Sequence, residues 1–397
     1  MKILSVNAGS SSLKFTAFEM PEEKKLMSGY FERIGIDGSF YTIKVNGEKI
    51  KKEVELPSHT VAFEYLINEL LEHHVVESLD EIKGIGHRVV QGADHYDKSV
   101  IATDEVVSDI ASLSSLAPLH NPAAVLGIKA AKEVVPTATS VVVFDTAFHQ
   151  TMPEENYLYA LPKSWYTDYH VRRYGAHGTS HKYITEYMAK KLGRDDLKLI
   201  ICHVGSGCSI SAVKNGKCVN TSMGFTPTGG LIMGTRCGDI DPSIIPYIME
   251  KTGITPEELN HILNKESGVL ALSEKYSDMR DIYDNVKLGD PVCTLTLTMF
   301  IKRIVNFIAQ YYFELEGCDA IVFTAGVLEN GALERRWIVD RLKFLGVELD
   351  NEVNESIASY HEKHEGVITT KDSKIPVYVV PTDEEIMIAR DTFNYVD

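Results

Sequence analysis

Hydrophobic residues alternate with polar ones at the period of β-strands along much of the first third of the chain. Strands are predicted at residues 2–6, 13–18, 39–45, 48–56, 82–90 and 140–144. The third and fourth of these strands flank Asn46-Gly47, which is the signal of a tight hairpin turn. The run at 140–144 is apolar almost throughout, as in a strand buried in the middle of a parallel sheet. The pattern therefore predicts a meander of strands that leads into a parallel sheet.

Apolar residues at the period of the α-helix occupy most of the segments between and after these strands. Helices are predicted at 58–74, 103–116, 122–135, 180–192, 242–252, 256–265, 291–316, 333–344 and 384–394. Further strands are predicted as a hairpin at 199–213 and as short segments at 320–324 and 377–380. Strands that alternate with helices in this way indicate the α/β class.

The first predicted hairpin has an unusual turn, because its connection is the small-residue run Asn7-Ala8-Gly9-Ser10-Ser11-Ser12. Such a run exposes backbone N–H groups and hydroxyls to one point, as a polyphosphate requires, although small-residue hairpins are usually only turns. It is not a Walker loop, since Gly-Lys-Ser/Thr is missing and the chain returns into a strand. The same order recurs at 199–213, where Gly205 takes the place of Gly9 and His203 that of Asn7. This repetition predicts two halves of like design.

A chain of 397 residues exceeds the usual size of one domain, so the repeated hairpin is taken to mark two domains. The predicted boundary lies at Phe148. Residues 1–148 then form an N-terminal domain and residues 149–383 a C-terminal nucleotide-binding domain. The helix within 384–397 is expected to pack back on the N-terminal domain.

Composition and charge exclude several classes of protein. The formal net charge of -16 opposes broad docking on nucleic acid or on anionic lipid. No run approaches eighteen apolar residues and no apolar signal segment opens the sequence, so no membrane contact and a cytoplasmic location are expected. The six cysteines all lie in the second half without a Cys-x-x-Cys pair, which favours buried free thiols.

Several charged residues stand where ligands of α/β proteins gather. Arg88 and Asp145 follow predicted strands, and ligands bind at the carboxyl ends of strands in open α/β sheets. The alternatives are an ordinary ion pair for Arg88 and a turn or cap for Asp145. His177 lies between glycines that clear space for a ligand. His181 follows one turn later, but no acidic third ligand is near, so a transition-metal site is not expected.

Three later segments also have chemical potential. Arg236 lies on a loop between glycines, from which it can hold a carboxylate or phosphoryl group in bidentate fashion. The segment 323–331 leads a strand into a helix through small residues, which suits a nucleotide or a plain strand-to-helix turn. The segment 381–385 offers carboxylates to Mg²⁺, although such residues also cap helices.

Taken together, six strings in order resemble the acetokinase family of the sugar kinase, heat-shock ATPase and actin superfamily, from Asn7 to Glu385. The strings are residues 7–14, 86–90, 117–122, 144–153, 177–181 and 234–238. The resemblance implies two related α/β domains of the actin-like ATPase (ribonuclease H-like) type with a cleft between them. It implies reversible phosphoryl transfer between ATP and acetate, giving ADP and acetyl phosphate, with Mg²⁺, or Mn²⁺ as an alternative, as the metal. It also favours a homodimer.

The resemblance further implies roles for individual residues. Asn7 and Glu384 would place Mg²⁺. Arg88 and Arg236 would hold the carboxylate and the moving phosphoryl group, which His177 would stabilise. His120 would lie beside His177, and Asp145 would orient the acceptor or the arginines. The phosphate loops and the nucleotide region would comprise Ser10, Ser12, Lys14, His203, Gly205, Ser206, Gly207, Asp278, Met279, Arg280, Gly326 and Asn330.

Four places depart from the usual pattern of the family. Residues 91–93 are Gln-Gly-Ala instead of His-Gly-Gly, and Ser206 replaces an asparagine. Ala176 replaces a phenylalanine beside His177, which leaves room for a longer acid and keeps propionate or butyrate kinase as alternatives. Leu328 replaces a glycine near the nucleotide, so a pyrophosphate-dependent variant also stays open. The alternative of another class is a nucleotide-binding regulator that has lost phosphoryl transfer.

Overall fold

The structure is a computed structural model that describes residues 1–118 and 120–396. Contacts group the chain into two compact units. The N-terminal unit comprises Met1–Gln150, the short segment Gly178–Lys182 and the segment from Asp383 onward. The C-terminal unit comprises Thr151–His177 and Tyr183–Thr382.

Within the described residues, an eight-stranded sheet forms the centre of the N-terminal unit. Its strands are β1 (Lys2–Gly9), β2 (Ser12–Glu19), β3 (Lys24–Glu32), β4 (Phe40–Val45), β5 (Glu48–Glu53), β6 (Ile82–Val89), β7 (Val100–Ile101) and β8 (Thr139–Phe144). They lie in the order β5-β4-β3-β2-β1-β6-β8-β7. The neighbours β1, β6 and β8 are parallel, whereas the other pairs are antiparallel. The predicted meander and parallel sheet are confirmed.

Three helices follow the meander in the N-terminal unit, and two of them begin at a side-chain cap. They are α1 (His59–Glu72), α2 (Asp104–Ser112) and α3 (Asn121–Val134). Ser58 and Thr103 accept hydrogen bonds from the backbone N–H three residues on, as N-cap residues do. The apolar side of α1 packs with the sheet in one buried cluster that includes Phe63, Leu66 and Phe15.

A smaller sheet of the same design forms the centre of the C-terminal unit. Its described strands are β9 (Lys198–Val204), β10 (Cys208–Lys214), β11 (Lys217–Thr221), β12 (Ala320–Thr324), β13 (Gly366–Val367) and β14 (Val377–Val379). Their order is β11-β10-β9-β12-β14-β13, with β9, β12 and β14 parallel. Each unit thus places an antiparallel hairpin beside parallel strands, as the repeated sequence pattern predicts.

Most of the remaining helices surround this second sheet. They are α4 (Glu154–Tyr157), α5 (Lys163–Tyr169), α6 (Gly178–Leu192), α7 (Ile244–Thr252), α8 (Pro256–Lys265), α9 (Gly268–Ser273), α10 (Met279–Lys287), α11 (Pro291–Glu314), α12 (Gly326–Asn330), α13 (Ala332–Asp340) and α14 (Asn351–Ser356). The first turn of α6 belongs to the N-terminal unit. Short 3₁₀ turns occur at Leu79–Glu81, Leu113–Ser115, Ala147–Thr151 and Lys343–Leu345.

The long helix α11 is the central helix of the C-terminal core. By length and composition it is apolar enough to cross a membrane. One side of it, including Leu297, Phe300 and Ile304, is buried in the core, as expected for the core helix of a globular unit.

The helix α15 (Glu384–Phe393) packs on the parallel strands of the N-terminal unit. Two glycines of β6 make this approach possible. A Cβ atom on Gly86 would lie 2.2 Å from Thr392 Oγ1, and one on Gly84 would lie 2.8 Å from Thr392 Cγ2. The first residues of α15, Glu384 and Glu385, are thereby fixed to this sheet.

Candidate active site

In the N-terminal unit, Arg88 lies among carboxylates. It stands near the end of β6, and its Nη2 donates a hydrogen bond to Asp145 Oδ2 at 3.0 Å. Its Nε lies 3.9 Å from Glu384 Oε2. This Nε is buried and has no hydrogen-bond partner in the described part of the chain. Burial alone would lower the pKa of Arg88, but the carboxylates of Asp145, Glu384 and Glu385 together raise it. The guanidinium is therefore charged and has a donor left for an anion.

Asp145 is held in place from three sides. Its backbone N–H donates to Val89 O at 2.8 Å, which continues the pairing of β6 and β8. Its carbonyl accepts from Gly178 N at 2.9 Å, and its Oδ1 accepts from Thr179 Oγ1 at 3.3 Å. A Cβ on Gly178 would lie 2.2 Å from the Asp145 carbonyl, so only glycine fits there. The segment His-Gly-Thr thus positions the carboxylate that pairs with Arg88.

Oxygen ligands suited to a hard cation lie beside this pair. Burial raises the pKa of Glu384, and Asp145 and Glu385 act in the same direction, against Arg88 and Lys14. Lys14 forms an ion pair with Glu385 and faces Asn7 across the β1–β2 hairpin. A bound cation would relieve the crowding of these carboxylates, and carboxylate and amide oxygens are what Mg²⁺ prefers. The residues present therefore fit the metal.

The turn between β1 and β2 is the predicted first phosphate loop. Ser10 and Ser12 are exposed, as a loop that receives a ligand requires. A Cβ on Gly9 would lie 2.5 Å from Ser12 Oγ, so a glycine is needed for the hydroxyl to lie across the turn. The Gly9 carbonyl is hydrogen-bonded to His59 Nε2 at 2.8 Å, which ties the loop to α1.

His120 is exposed at the N-terminal end of α3. The neighbouring Leu119 of the same predicted string lies outside the described residues.

In the C-terminal unit, His177 is fixed at the start of α6. Its backbone is left-handed, with φ of 58°, a strained conformation that often marks functional sites. Its Nδ1 is hydrogen-bonded to Ser209 Oγ at 2.9 Å. Its ring stacks on that of His203, with the ring centroids 4.0 Å apart. These contacts fix the orientation of the His177 ring and of its second nitrogen, Nε2.

The predicted second phosphate loop, residues 205–207, lies beside both His177 and Arg236. Gly205 N donates to Gly207 O at 3.0 Å, which closes a tight turn between β9 and β10. A Cβ on Gly207 would lie 3.2 Å from His177 Nε2 and 3.6 Å from Arg236 Nη1. Both side chains therefore reach the same point on the loop.

Arg236 has no carboxylate partner among the described residues, and its Nη1 donates to the Pro227 carbonyl at 3.3 Å and to Met233 Sδ. Burial lowers its pKa from the ordinary value for arginine. A partly buried guanidinium without a carboxylate gains most from binding an anion.

A cavity of about 660 Å³ begins at this loop and extends along the C-terminal unit. Of the predicted residues, its lining includes Gly205, Ser206, Asp278, Met279, Arg280, Gly326 and Asn330. Asn330 holds the turn of α12, because its Nδ2 donates to Gly326 O at 2.8 Å. Arg280 is exposed and paired with Asp278, with Nη2 and Oδ2 2.6 Å apart. The structure thus gathers all seven around one cavity.

Other residues of this cavity have no signal in the sequence. Tyr283, Asp284, Glu334, Ser359 and Tyr360 also line it. Ser359 donates to Asn330 Oδ1 from both its N–H and its hydroxyl, although 29 residues separate the two. Such a contact depends on the tertiary fold, and no local pattern predicts it.

The structure explains what the departures from the family pattern do. The Leu328 side chain is fully buried in the core of the C-terminal unit and does not line the cavity, so it leaves the nucleotide side unobstructed. Ala176 also belongs to that core. Ser206 is exposed in the cavity wall. Gln91 Oε1 accepts from Ala93 N at 2.8 Å, and Ala93 adopts the left-handed φ of 52° that glycine usually takes.

Two small-residue loops, arginines that retain donors for an anion, and carboxylates suited to Mg²⁺ are the parts of a phosphotransferase of the α/β class. A model of the acetokinase family matches residues 2–390. The acetate kinase of Bacillus cytotoxicus is 52% identical over 392 residues, 98% of each chain.

Solved structures agree with this match. The crystal structure of Porphyromonas gingivalis acetate kinase has a TM-score of 0.93 and 42% identity, and that of a propionate kinase from Francisella tularensis has 0.93 and 40%. Each comparison covers 99% of both chains. The chain belongs to the acetokinase family.

Proposed function

We propose that this protein transfers the γ-phosphoryl group of ATP reversibly to acetate, giving acetyl phosphate and ADP, with Mg²⁺ as the metal. The observation that carries the proposal is the meeting of His177 Nε2 and Arg236 Nη1 at Gly207, on the loop where the cavity begins. A phosphoryl group in transit bears charge on its equatorial oxygens, and these two side chains can stabilise it there. The 52% sequence identity to the acetate kinase of Bacillus cytotoxicus supports the same reaction.

The acceptor is assigned to the N-terminal unit. Acetate is already a nucleophile, so the reaction needs positioning and no strong general base. Arg88 has a buried, unsatisfied Nε that can donate to the acetate carboxylate, and Asp145 holds the guanidinium in orientation. One oxygen of acetate then attacks the γ-phosphorus, and the bond from that phosphorus to the bridging oxygen of ADP breaks.

The nucleotide is assigned to the cavity of the C-terminal unit. Gly205 and Ser206 of the 205–207 loop line the cavity at the proposed phosphate side, and the turn at Gly326 and Asn330 lines it at the proposed nucleoside side. The catalytic role of His120 and the place of His203 in the second phosphate loop follow the family pattern, and the His203 ring stacks on that of His177.

Asn7 and Glu384 are the proposed metal residues, and Ser10, Ser12 and Lys14 the proposed first phosphate loop. When bound, Mg²⁺ would neutralise charge on the phosphates, and Mn²⁺ has similar ligand preferences. Lys14 holds Glu385, which leaves Glu384 as the carboxylate for the cation.

A homodimer in the cytosol is the proposed assembly. On α11, Val292, Leu295 and Met299 are exposed at helical spacing, and Leu288 is exposed before the helix begins. Exposed apolar residues repeated along a helix in this way support a protein–protein contact. Light scattering after size-exclusion chromatography should give a mass twice that of one chain. The Leu295→Glu variant should give the mass of a single chain.

The test of activity is acyl hydroxamate formation from Mg-ATP and hydroxylamine, with acetate, propionate and butyrate compared. The fastest product is expected with acetate. A preference for propionate would move the assignment to the function named for the Francisella structure. Pyrophosphate in place of ATP is expected to give no product, because Leu328 does not reach the cavity.

Arg236→Met tests whether the activity belongs to this site. Arg341→Met is the matched control at the C-cap of α13, where Arg341 Nη1 donates to the Trp337 carbonyl at 2.8 Å. The first variant should lose about a thousandfold in kcat, whereas the control should keep its rate. ATP binding without any product would favour the silent regulator.

A further inference from the structure

The cavity of the C-terminal unit contains a group to which the proposed function gives no role, the carboxyl of Glu334. Glu334 lies in the first turns of α13, is 3% exposed and belongs to the cavity lining. Its Oε2 is buried without a hydrogen-bond partner in the described part of the chain. A buried, unsatisfied carboxyl oxygen is costly and requires an explanation. In a cavity wall, a ligand can supply the missing partner.

The surroundings keep the carboxyl at this point. A Cβ on Gly331 would lie 2.4 Å from Glu334 Oε2 and 2.6 Å from Val327 O, so the carboxyl occupies space that only glycine leaves. The adjacent Arg335 does not neutralise it through a salt bridge, because the Arg335 guanidinium is bonded to Asn354 and to the carbonyls of Leu328, Glu329 and Ile357.

The protonation state of the Glu334 carboxyl also allows it to donate one hydrogen bond and accept another. Burial raises the pKa of Glu334 to about 7, against the opposing charges of Arg335 and Lys287. A carboxyl that keeps its proton near neutral pH offers one donor and one acceptor side by side. Adenine presents the complementary pair, the acceptor N1 beside the 6-amino donor.

We propose that Glu334 reads the Watson–Crick edge of adenine, with one carboxyl oxygen accepting from the 6-amino group and the carboxyl O–H donating to N1. Tyr283 and Tyr360 line the same cavity and provide aromatic faces for the base. This inference rests on the proposed function, since it specifies which nucleotide the cavity takes.

The test compares binding of ATP with binding of purine riboside triphosphate, which lacks the 6-amino group, by calorimetry without acetate. The wild type should bind ATP about tenfold more tightly, within the range of a two-point base contact. Glu334→Leu should abolish this preference, whereas Glu334→Gln should retain most of it, because an amide offers the same donor and acceptor. Asp340→Asn, an exposed change on the same helix, should bind as the wild type does.

An unchanged preference in Glu334→Leu would overturn the proposal. A loss of discrimination between ATP and 2′-deoxy-ATP, with the base preference intact, would also overturn it and assign Glu334 to the ribose. If Glu334→Leu does not fold, the pH dependence of ATP binding by the wild type and by Glu334→Gln tests the proposal instead. Wild-type affinity for ATP should then fall above about pH 7 relative to that variant, and parallel pH profiles would overturn the proposal. Failure of the proposed function is distinguishable, since a protein that forms no acyl phosphate can still show this base preference.

Discussion

Replacing Arg88 with methionine tests the electrostatic reasoning about the N-terminal unit most directly. Asp145 is fully buried, and Arg88 donates to it at 3.0 Å while its Nε lies 3.9 Å from Glu384. Removal of the cation takes the charge partner from buried carboxylates, and breaking a buried ion pair in this way typically costs about 3–5 kcal/mol. Since the Arg88 side chain is 18% exposed, we expect the lower end, about 3 kcal/mol of unfolding free energy at pH 8.

The sign of the pH dependence follows from Glu384. Its pKa is raised in the folded state, so the folded protein binds a proton that the unfolded chain releases above its ordinary pKa. The resulting cost is absent at acidic pH and grows as the pH rises towards the folded-state pKa. Because Arg88 lowers that pKa, its loss enlarges the cost, and the Arg88→Met penalty should be smaller at pH 5.5 than at pH 8.

Urea unfolding at both pH values measures these effects, together with the double variant Arg88→Met/Asp145→Asn. The double variant also removes the Asp145 carboxylate, which has lost its cation, and should restore about half of the lost unfolding free energy at pH 8. The control is Lys132→Met, which breaks an exposed ion pair with Asp104 and should cost less than about 1 kcal/mol. A penalty equal at both pH values, together with strictly additive single variants, would refute the reasoning.

Three further predictions concern single positions. Leu328→Ala should lower the unfolding free energy by about 3 kcal/mol, since the side chain is fully buried, and should leave activity with pyrophosphate absent in the hydroxamate assay. Ala93→Gly should raise stability by about 0.5 kcal/mol in thermal unfolding, because it relieves a left-handed alanine, whereas Ala123→Gly inside α3 should lower it. Gly207→Ala should reduce kcat at least tenfold, because its methyl group would lie 3.2 Å from His177 Nε2. The melting temperature should change by no more than about a few degrees. An unchanged kcat would contradict the placement of the phosphoryl group.

The strong patterns of the sequence predict most of the fold. The largely apolar run at 140–144 lies in β8, and the capped helix predicted at 58–74 is α1. The strand β3 was missed, because it opens with Lys24-Lys25 and contains Gly29, which interrupts the alternation. Gly29 is required there for packing, since a Cβ would lie 2.7 Å from Phe15 Cε1. The strand β3 forms because it pairs with β2 and β4. Its local sequence pattern alone does not predict a strand.

Some features of the candidate site could likewise be predicted from the sequence, and others could not. The pairing of Arg88 with Asp145 was predictable, because adjacent parallel strands bring their carboxyl ends together. The direction of the Leu328 side chain was not, since a residue in the short helix α12 can face either the cavity or the core. The unpaired state of Arg236 and the buried carboxyl of Glu334 likewise depend on neighbours distant in sequence.

The order of the segments along the chain has a consequence for synthesis. The N-terminal unit receives α15, with Glu384 and Glu385, only after the whole C-terminal unit has been translated. Until then, the groove above Gly84 and Gly86 exposes apolar strand surface, and Glu384 and Glu385 are missing from the proposed metal site. A nascent chain on the ribosome therefore exposes one face of a sheet whose strands all lie within its first 144 residues, until this last helix is translated. The proposed metal residue Glu384 is likewise supplied only at that stage.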